Sequence, residues 1–485
     1  MLLRYGLTPA AALVLLAAGC GGGGGSGAQP TPTATPTSTA SVVTFSPAAV
    51  TLNNPTAPSL SAAQSSFTVD LTAFDSSGAP LTPTASNPIT VNLYGVPAGV
   101  ITPTTLKITS GTTATFQYNG GYFPNPIALQ AWIADPAGGA AIGVTQIVGQ
   151  NRLPCSAFGS QSYQVPLQDT VPDPLQVYAA VGKNSPQATD FQIYTIDTGS
   201  LGTIVPIGDI NSSDVIGPGA PGVKFYDSSG NTYSGNYYLA TVSIQLSGGA
   251  IVQTHPIEVL AIDKAYCSGS RTKECEKHPP QPTLRYLGVG FDRENAGSGD
   301  LFASPAQNAF LQLTDAADGT DIAQGYTLSQ NGVTLGVTSA SASGFSMISL
   351  SPSSKAAGEW ATMPGCFGFP GIVKEPFCGS LLLDVGISEM FLDLARSSIP
   401  RKADSHDFVP SGTQMSIAAG DVSNPAMSYS FTAVSQGQQP SGLAPDYVQW
   451  IKKPNVFVNT GRYPLLGFNY LYDAQCGQTG FAQVQ

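Results

Sequence analysis

Charge is scarce in this sequence. Only 10% of its 485 residues are Asp, Glu, Lys or Arg, and 30 acidic against 19 basic residues leave a formal net charge of −11. No segment offers the stripe of Lys and Arg that a phosphate backbone demands, so nucleic acid is not expected as a partner. Histidine is rarer still: His255, His278 and His406 stand far apart and read as surface residues. No Cys-x-x-Cys pair occurs either, so no metal and no other cofactor is expected. After the first twenty residues no stretch reaches the roughly 18 uninterrupted apolar residues that cross a bilayer as a helix. Gly-x-Ser-x-Gly is missing too, which removes the nucleophile elbow of the serine hydrolases.

What is abundant points to strands. The chain carries 54 glycines and 39 prolines among many Thr, Ser and Val residues, a mixture that favours short strands and turns over long helices. The expected class is all-β, in two or three domains for this length.

Arg4, the apolar run Ala10 to Ala18 and the ending Leu16-Ala17-Ala18-Gly19-Cys20 resemble a bacterial lipoprotein signal over residues 1–20. That resemblance implies lipidation of Cys20, an extracytoplasmic, membrane-anchored protein, and membrane contact through the lipid alone. An ordinary secretory signal with an incidental cysteine is the alternative. Residues 21–41 hold Gly21 to Gly25 and then the Thr/Pro-rich run to Thr39, a flexible and then stiffer linker.

From 42 to 149 the apolar residues alternate, as in Val43 and Phe45, in Phe67, Val69 and Leu71, and in Ile89, Val91 and Leu93. Strands at this spacing predict an immunoglobulin-like β-sandwich, as a spacer or as a glycan-binding or adhesive module. Apart from Cys20 the cysteines are Cys155, Cys267, Cys275, Cys366, Cys378 and Cys476. Six allow fifteen pairings. Short loops favour Cys267 with Cys275 and Cys366 with Cys378, leaving Cys155 for Cys476.

Residues 150–485 contain one pattern twice. An apolar strand runs into an aspartate with glycine two residues later, first as Ile193 to Ile196, Asp197-Thr198-Gly199-Ser200, then as Leu381 to Leu383, Asp384-Val385-Gly386-Ile387-Ser388. A carboxylate at the end of a buried strand is costly unless backbone donors receive it, and the glycine lets the chain turn back to supply them. About eighty to ninety residues after each aspartate comes an apolar-Gly pair, Leu287-Gly288 and then Leu466-Gly467. Matched landmarks imply an internal duplication with a cleft between two similar lobes.

On these motifs residues 150–485 resemble a pepsin-type bilobal aspartic peptidase. The resemblance implies a double β-barrel, with an N-terminal lobe over 150–325 and a C-terminal lobe over 326–485. It implies Asp197 and Asp384 as the catalytic pair, supported by Thr198, Gly199, Ser200, Gly386 and Ser388, with Leu287-Gly288 and Leu466-Gly467 on the two strands that thread beside them, and a flap hairpin whose tyrosine is Tyr226 or Tyr233. Both tyrosines equally fit a hairpin core. Two carboxylates in contact share one proton, so one can activate water while the other protonates a peptide carbonyl. Val385 and Ile387 depart from the family pattern, which has hydroxyl residues at both places. The expected function is therefore a lipid-anchored endopeptidase acting on a peptide or protein substrate. The alternatives are a peptide-binding protein with impaired catalysis and a structural or adhesive surface lipoprotein. Glycosidases also pair carboxylates but lack this duplicated frame. The oligomeric state is left open.

Overall fold

The computed structural model describes the strands between residues 40 and 149 as backbone, and residues 159–484 with side chains except 184, 211–214, 216–221, 227, 294–306, 316–318, 320, 321 and 354–358. Cys20, the 21–39 part of the linker and Cys155 lie outside the described residues. The described chain is nearly all-β, in five sheets, and its α-helix is the single turn Thr272–Cys275.

Between 40 and 149 nine strands form two sheets. One has the order Ala40–Ser46, Ser65–Asp75, Thr113–Tyr118, Ile101–Thr102. The other runs Ala49–Leu52, Ala140–Gly149, Ile127–Ala134, Ile89–Gly95, Thr105–Ile108.

The duplication read from the sequence reappears as strand pairing. In the first half, strand Gln192–Asp197 lies parallel to Tyr286–Val289, with Asp197 opposite Gly288. Strand Leu201–Pro206 then pairs antiparallel with Tyr286–Val289 and parallel with Ile257–Cys267. In the second half, Phe377–Leu382 lies parallel to Phe457–Asn459, while Met390–Asp393 pairs antiparallel with Phe457–Asn459 and parallel with Val448–Trp450. Each half thus sends its aspartate strand and the strand after the turn to either side of one later strand. The halves meet in a six-stranded sheet that holds Tyr163–Val165, the hairpin Gly325–Ser329 and Gly332–Leu335, and the closing hairpin Phe468–Asp473 and Gln478–Gln483.

The described strands of this region form sheets of ten, seven and six members, with no closed barrel among the described residues. One sequence expectation is corrected here. The strand beside Asp384 is Phe457–Asn459, whereas Leu466 ends the 3-10 turn Tyr463–Leu466 and Gly467 leads into the closing hairpin. The pairing ends at Leu382 and Asn459, with the Thr460 N–H still donating to the Leu382 carbonyl at 2.9 Å before the chain turns at Gly461.

The main apolar core runs from Val165 to Phe481 through both halves, and Ile204, Tyr233, Tyr237, Leu260 and Ile262 form a smaller cluster of their own. Tyr326 sits at the middle of the main core, fully buried, edge-on to Phe310 and Tyr472, and its hydroxyl donates to the Val289 carbonyl at 2.7 Å. Burying such aromatic area stabilises the junction, and the hydrogen bond ties it to the strand that flanks Asp197. Two expected disulfides are present, Cys267–Cys275 and Cys366–Cys378, the second joining directly opposed residues of an antiparallel pair. Cys476 is also disulfide-bonded. His278 and His406 are exposed and His255 is half-buried.

Candidate active site

Asp197 and Asp384 are 5% and 6% exposed; Asp197 ends strand Gln192–Asp197 and Asp384 follows two residues after strand Phe377–Leu382, each directly behind a buried apolar residue, Ile196 and Leu383. Those apolar anchors pull the strand ends into the core and take the carboxyls with them. The chain then turns, and the glycine N–H two residues on donates back: Gly199 N–H to Asp197 Oδ1 at 2.7 Å, and Gly386 N–H to Asp384 Oδ1 at 3.0 Å.

The two turns interlock. A methyl group added to Gly199 would overlap the Asp384 carboxyl, and one added to Gly386 would overlap Asp197 Oδ1. Each carboxyl therefore rests against the glycine of the opposite turn. Thr198 crosses between the turns. Its hydroxyl donates to the Leu383 carbonyl at 2.5 Å and accepts from the Val385 N–H at 2.9 Å. Val385 is fully buried and has no hydroxyl with which to return that crossing.

Arg462 reinforces the second turn from the other side. It is 5% exposed, and its guanidinium donates to the carbonyls of Val385 at 3.1 Å, Gly386 at 3.0 Å and Pro172 at 3.0 Å. A planar fork of donors can hold three carbonyls at once, which a lysine cannot. Burial draws its pKa below the ordinary arginine value, with the nearby Asp384 charge opposing.

The outer oxygens of the pair have different partners. Ser200 donates to Asp197 Oδ2 at 2.5 Å, as expected. Ser388, expected to serve Asp384 in the same way, turns its hydroxyl to Glu389 Oε2 at 3.4 Å. Ile387, not Ser388, occupies the place equivalent to Ser200. The donor to Asp384 Oδ2 is the Asn459 side-chain amide at 2.7 Å.

Burial, and secondarily the charge of Asp197, raises the Asp384 pKa from its ordinary value to about 8, while Asn459 and the Gly386 N–H pull the other way.

Tyr226 and Tyr233 lie on the hairpin Ile216–Tyr226 and Asn231–Ala240. Tyr233 packs edge-on to Tyr226 at 6.0 Å between ring centres, in a cluster with Ile204, Tyr237, Leu260 and Ile262. The Tyr226 hydroxyl is buried without a hydrogen bond. Ser200 lies near it but outside bonding geometry, and burial followed by the Asp197 charge holds this phenol well above its ordinary pKa. Tyr286, 6.3 Å from Tyr226 by ring centres, is likewise raised by burial and by the charge of Asp197. Of the two flap candidates, Tyr226 is the one whose phenol feels the dyad.

Sequence reasoning missed Asn459, Arg462 and Tyr286. The available signal was Asn459-Thr460-Gly461-Arg462, a glycine turn after a strand in which Thr460 stands where an apolar residue was sought. Two described cavities, of about 470 Å³ beside Cys366 and about 270 Å³ beside Tyr447, touch neither aspartate.

No protein-family model matches the chain, and no curated protein matches it. Among solved structures it is similar to an aspartic proteinase from Irpex lacteus, at 14% identity over 67% of this chain and 98% of that one, with a TM-score of 0.42. It is similar also to basic 7S globulin from soybean, at 11% identity over 67% of this chain and 95% of that one, with a TM-score of 0.45.

Proposed function

We propose that the chain is an exported aspartic-type endopeptidase in which Asp197 and Asp384 activate water. The observation that supports this most is the reciprocal seating of each carboxyl against the opposite glycine, with Thr198 joining the turns. Two buried carboxyls in contact hold one proton between them. In the proposed step the ionised member takes a proton from water as its oxygen bonds to the peptide carbonyl carbon. The protonated member gives its proton to the carbonyl oxygen. Collapse of the tetrahedral species breaks the C–N bond and passes a proton to the leaving amine. Tyr226 and its hairpin would close over the substrate.

The test is digestion of a denatured protein between about pH 3 and pH 6, the range in which a carboxyl pair shares a proton. Fragments from wild type and none from Asp197→Asn support the reading. Fragments undiminished in Asp197→Asn refute it.

A second reading, a peptide-binding protein with impaired catalysis, is favoured by one observation: Val385 leaves the crossing between the turns one-sided. It expects peptide binding without turnover. Export is supported by the two disulfides, which suit an oxidising compartment, and anchorage by the Cys20 motif alone. The strands between 40 and 149 are proposed as an immunoglobulin-like spacer.

A further inference from the structure

We infer that Asn459 is a positioning residue of the dyad, holding the outer oxygen of Asp384 as an acceptor and so confining the pair's proton to the seam between the two carboxyls. Resting on the peptidase reading, this gives Asn459 in the second half the place that Ser200 has in the first.

Three observations carry it. Asn459 ends strand Phe457–Asn459 and is paired there with Leu382 on one side and Phe391 on the other, so its backbone is fixed. Its own Oδ1 accepts the Gly461 N–H at 3.1 Å, which turns Nδ2 toward Asp384 Oδ2 at 2.7 Å. The side chain is 7% exposed, so little water competes for that bond.

The chemistry differs from that of a hydroxyl. Ser200 can donate or accept and can follow a proton from one oxygen of Asp197 to the other. An amide nitrogen only donates, so an O–H on Asp384 Oδ2 pointing at Asn459 would oppose two donors. Asp384 Oδ1 accepts the Gly386 N–H with one lone pair and lies, with Asp197 Oδ1, beside Gly386, so its other lone pair is the place left for the proton. The charged and titratable groups around Asp384 are Asp197, Tyr286 and Arg462. None of these takes the place of Asn459 at Oδ2.

The test uses Asn459→Leu and Asn459→Val in the full chain, both apolar and compatible with a buried strand end. Two readouts are taken: the pH profile of kcat/KM on a denatured protein, and an infrared titration of the carboxyl band, isolated as the difference from Asp384→Asn. Losing a donor to a charged group is expected to move the dyad's alkaline transition upward by about one to two pH units in both readouts. In the unaltered protein the Asn459 side-chain 15N resonance is expected to titrate with that same transition, a reading that does not depend on either variant folding. An infrared shift in the variants without cleavage by wild type would support the assignment of Asn459 while removing the peptidase reading. Folded variants whose infrared titration superimposes on wild type, or an Asn459 resonance that ignores the transition, would overturn it.

Discussion

Gly199 and the Asp384 carboxyl occupy adjoining space, with no room for a methyl group between them. Gly386 stands in the same relation to Asp197. Neither glycine has a positive φ, so the backbone itself would accept alanine.

Gly199→Ala is therefore expected to force the carboxyls apart without unfolding the protein. A displacement of about 1 Å at reacting groups costs on the order of 100-fold in rate. Overpacking of this kind costs about 1–3 kcal/mol. Paired kinetic and urea-unfolding measurements check both. Retained kcat/KM would show that the turns tolerate separation.

Thr198→Val removes the crossing between the turns and leaves the Leu383 carbonyl and the Val385 N–H buried without it. Each unsatisfied buried group costs about 1–3 kcal/mol. The expected outcome is a fall in the urea midpoint together with a large loss of activity.

Arg462→Lys keeps the charge but cannot span the carbonyls of Val385, Gly386 and Pro172. A loss of about 2–4 kcal/mol is expected, since hydrogen bonds from charged donors are each worth about 1.5–3 kcal/mol and lysine recovers part. Chemical denaturation reads it. A stability equal to wild type would mean that the clasp is dispensable.

Asp384 has a folded pKa raised from 3.8 to about 8. A raised carboxyl favours the fold while protonated, so its contribution is fully present below the unfolded pKa and is lost as pH rises through the folded value. Asp473, raised by burial to about 6, has the same sign. Thermal melts of Asp384→Asn against wild type are expected to show a gain at pH 8 that shrinks toward pH 4. The opposite trend would contradict the burial of Asp384 in its protonated form.

Tyr226→Phe deletes a buried hydroxyl that makes no hydrogen bond. Stability is expected to hold or to rise by about 1 kcal/mol, because no partner is left unpaired. A clear drop in the urea midpoint would reveal a bond that this arrangement lacks.

Much of this site was legible in the sequence because its signals are local. Apolar residues leading into Asp-x-Gly and the two short disulfide loops follow from neighbouring residues and backbone chemistry. The second supporting strand is hidden in the sequence because Thr460-Gly461 does not look apolar, while Leu466-Gly467 does although Leu466 ends a 3-10 turn and Gly467 caps it. Ser388 differs from its expected role for a related reason: a hydroxyl four residues from the aspartate points past it, and Asn459 reaches Oδ2 from a strand 75 residues away. A buried arginine such as Arg462 is stabilised only by carbonyls that the fold assembles around it. No linear pattern could have announced it.

The central claim is that Asp197 and Asp384 act as one proton-sharing pair. The pH dependence of kcat/KM for cleavage of a denatured protein by wild type, Asp197→Asn and Asp384→Asn tests it most directly. A bell-shaped wild-type profile with both variants inactive at every pH is the expected result. Cleavage that survives either substitution, or a wild type inert across the whole range, would contradict it.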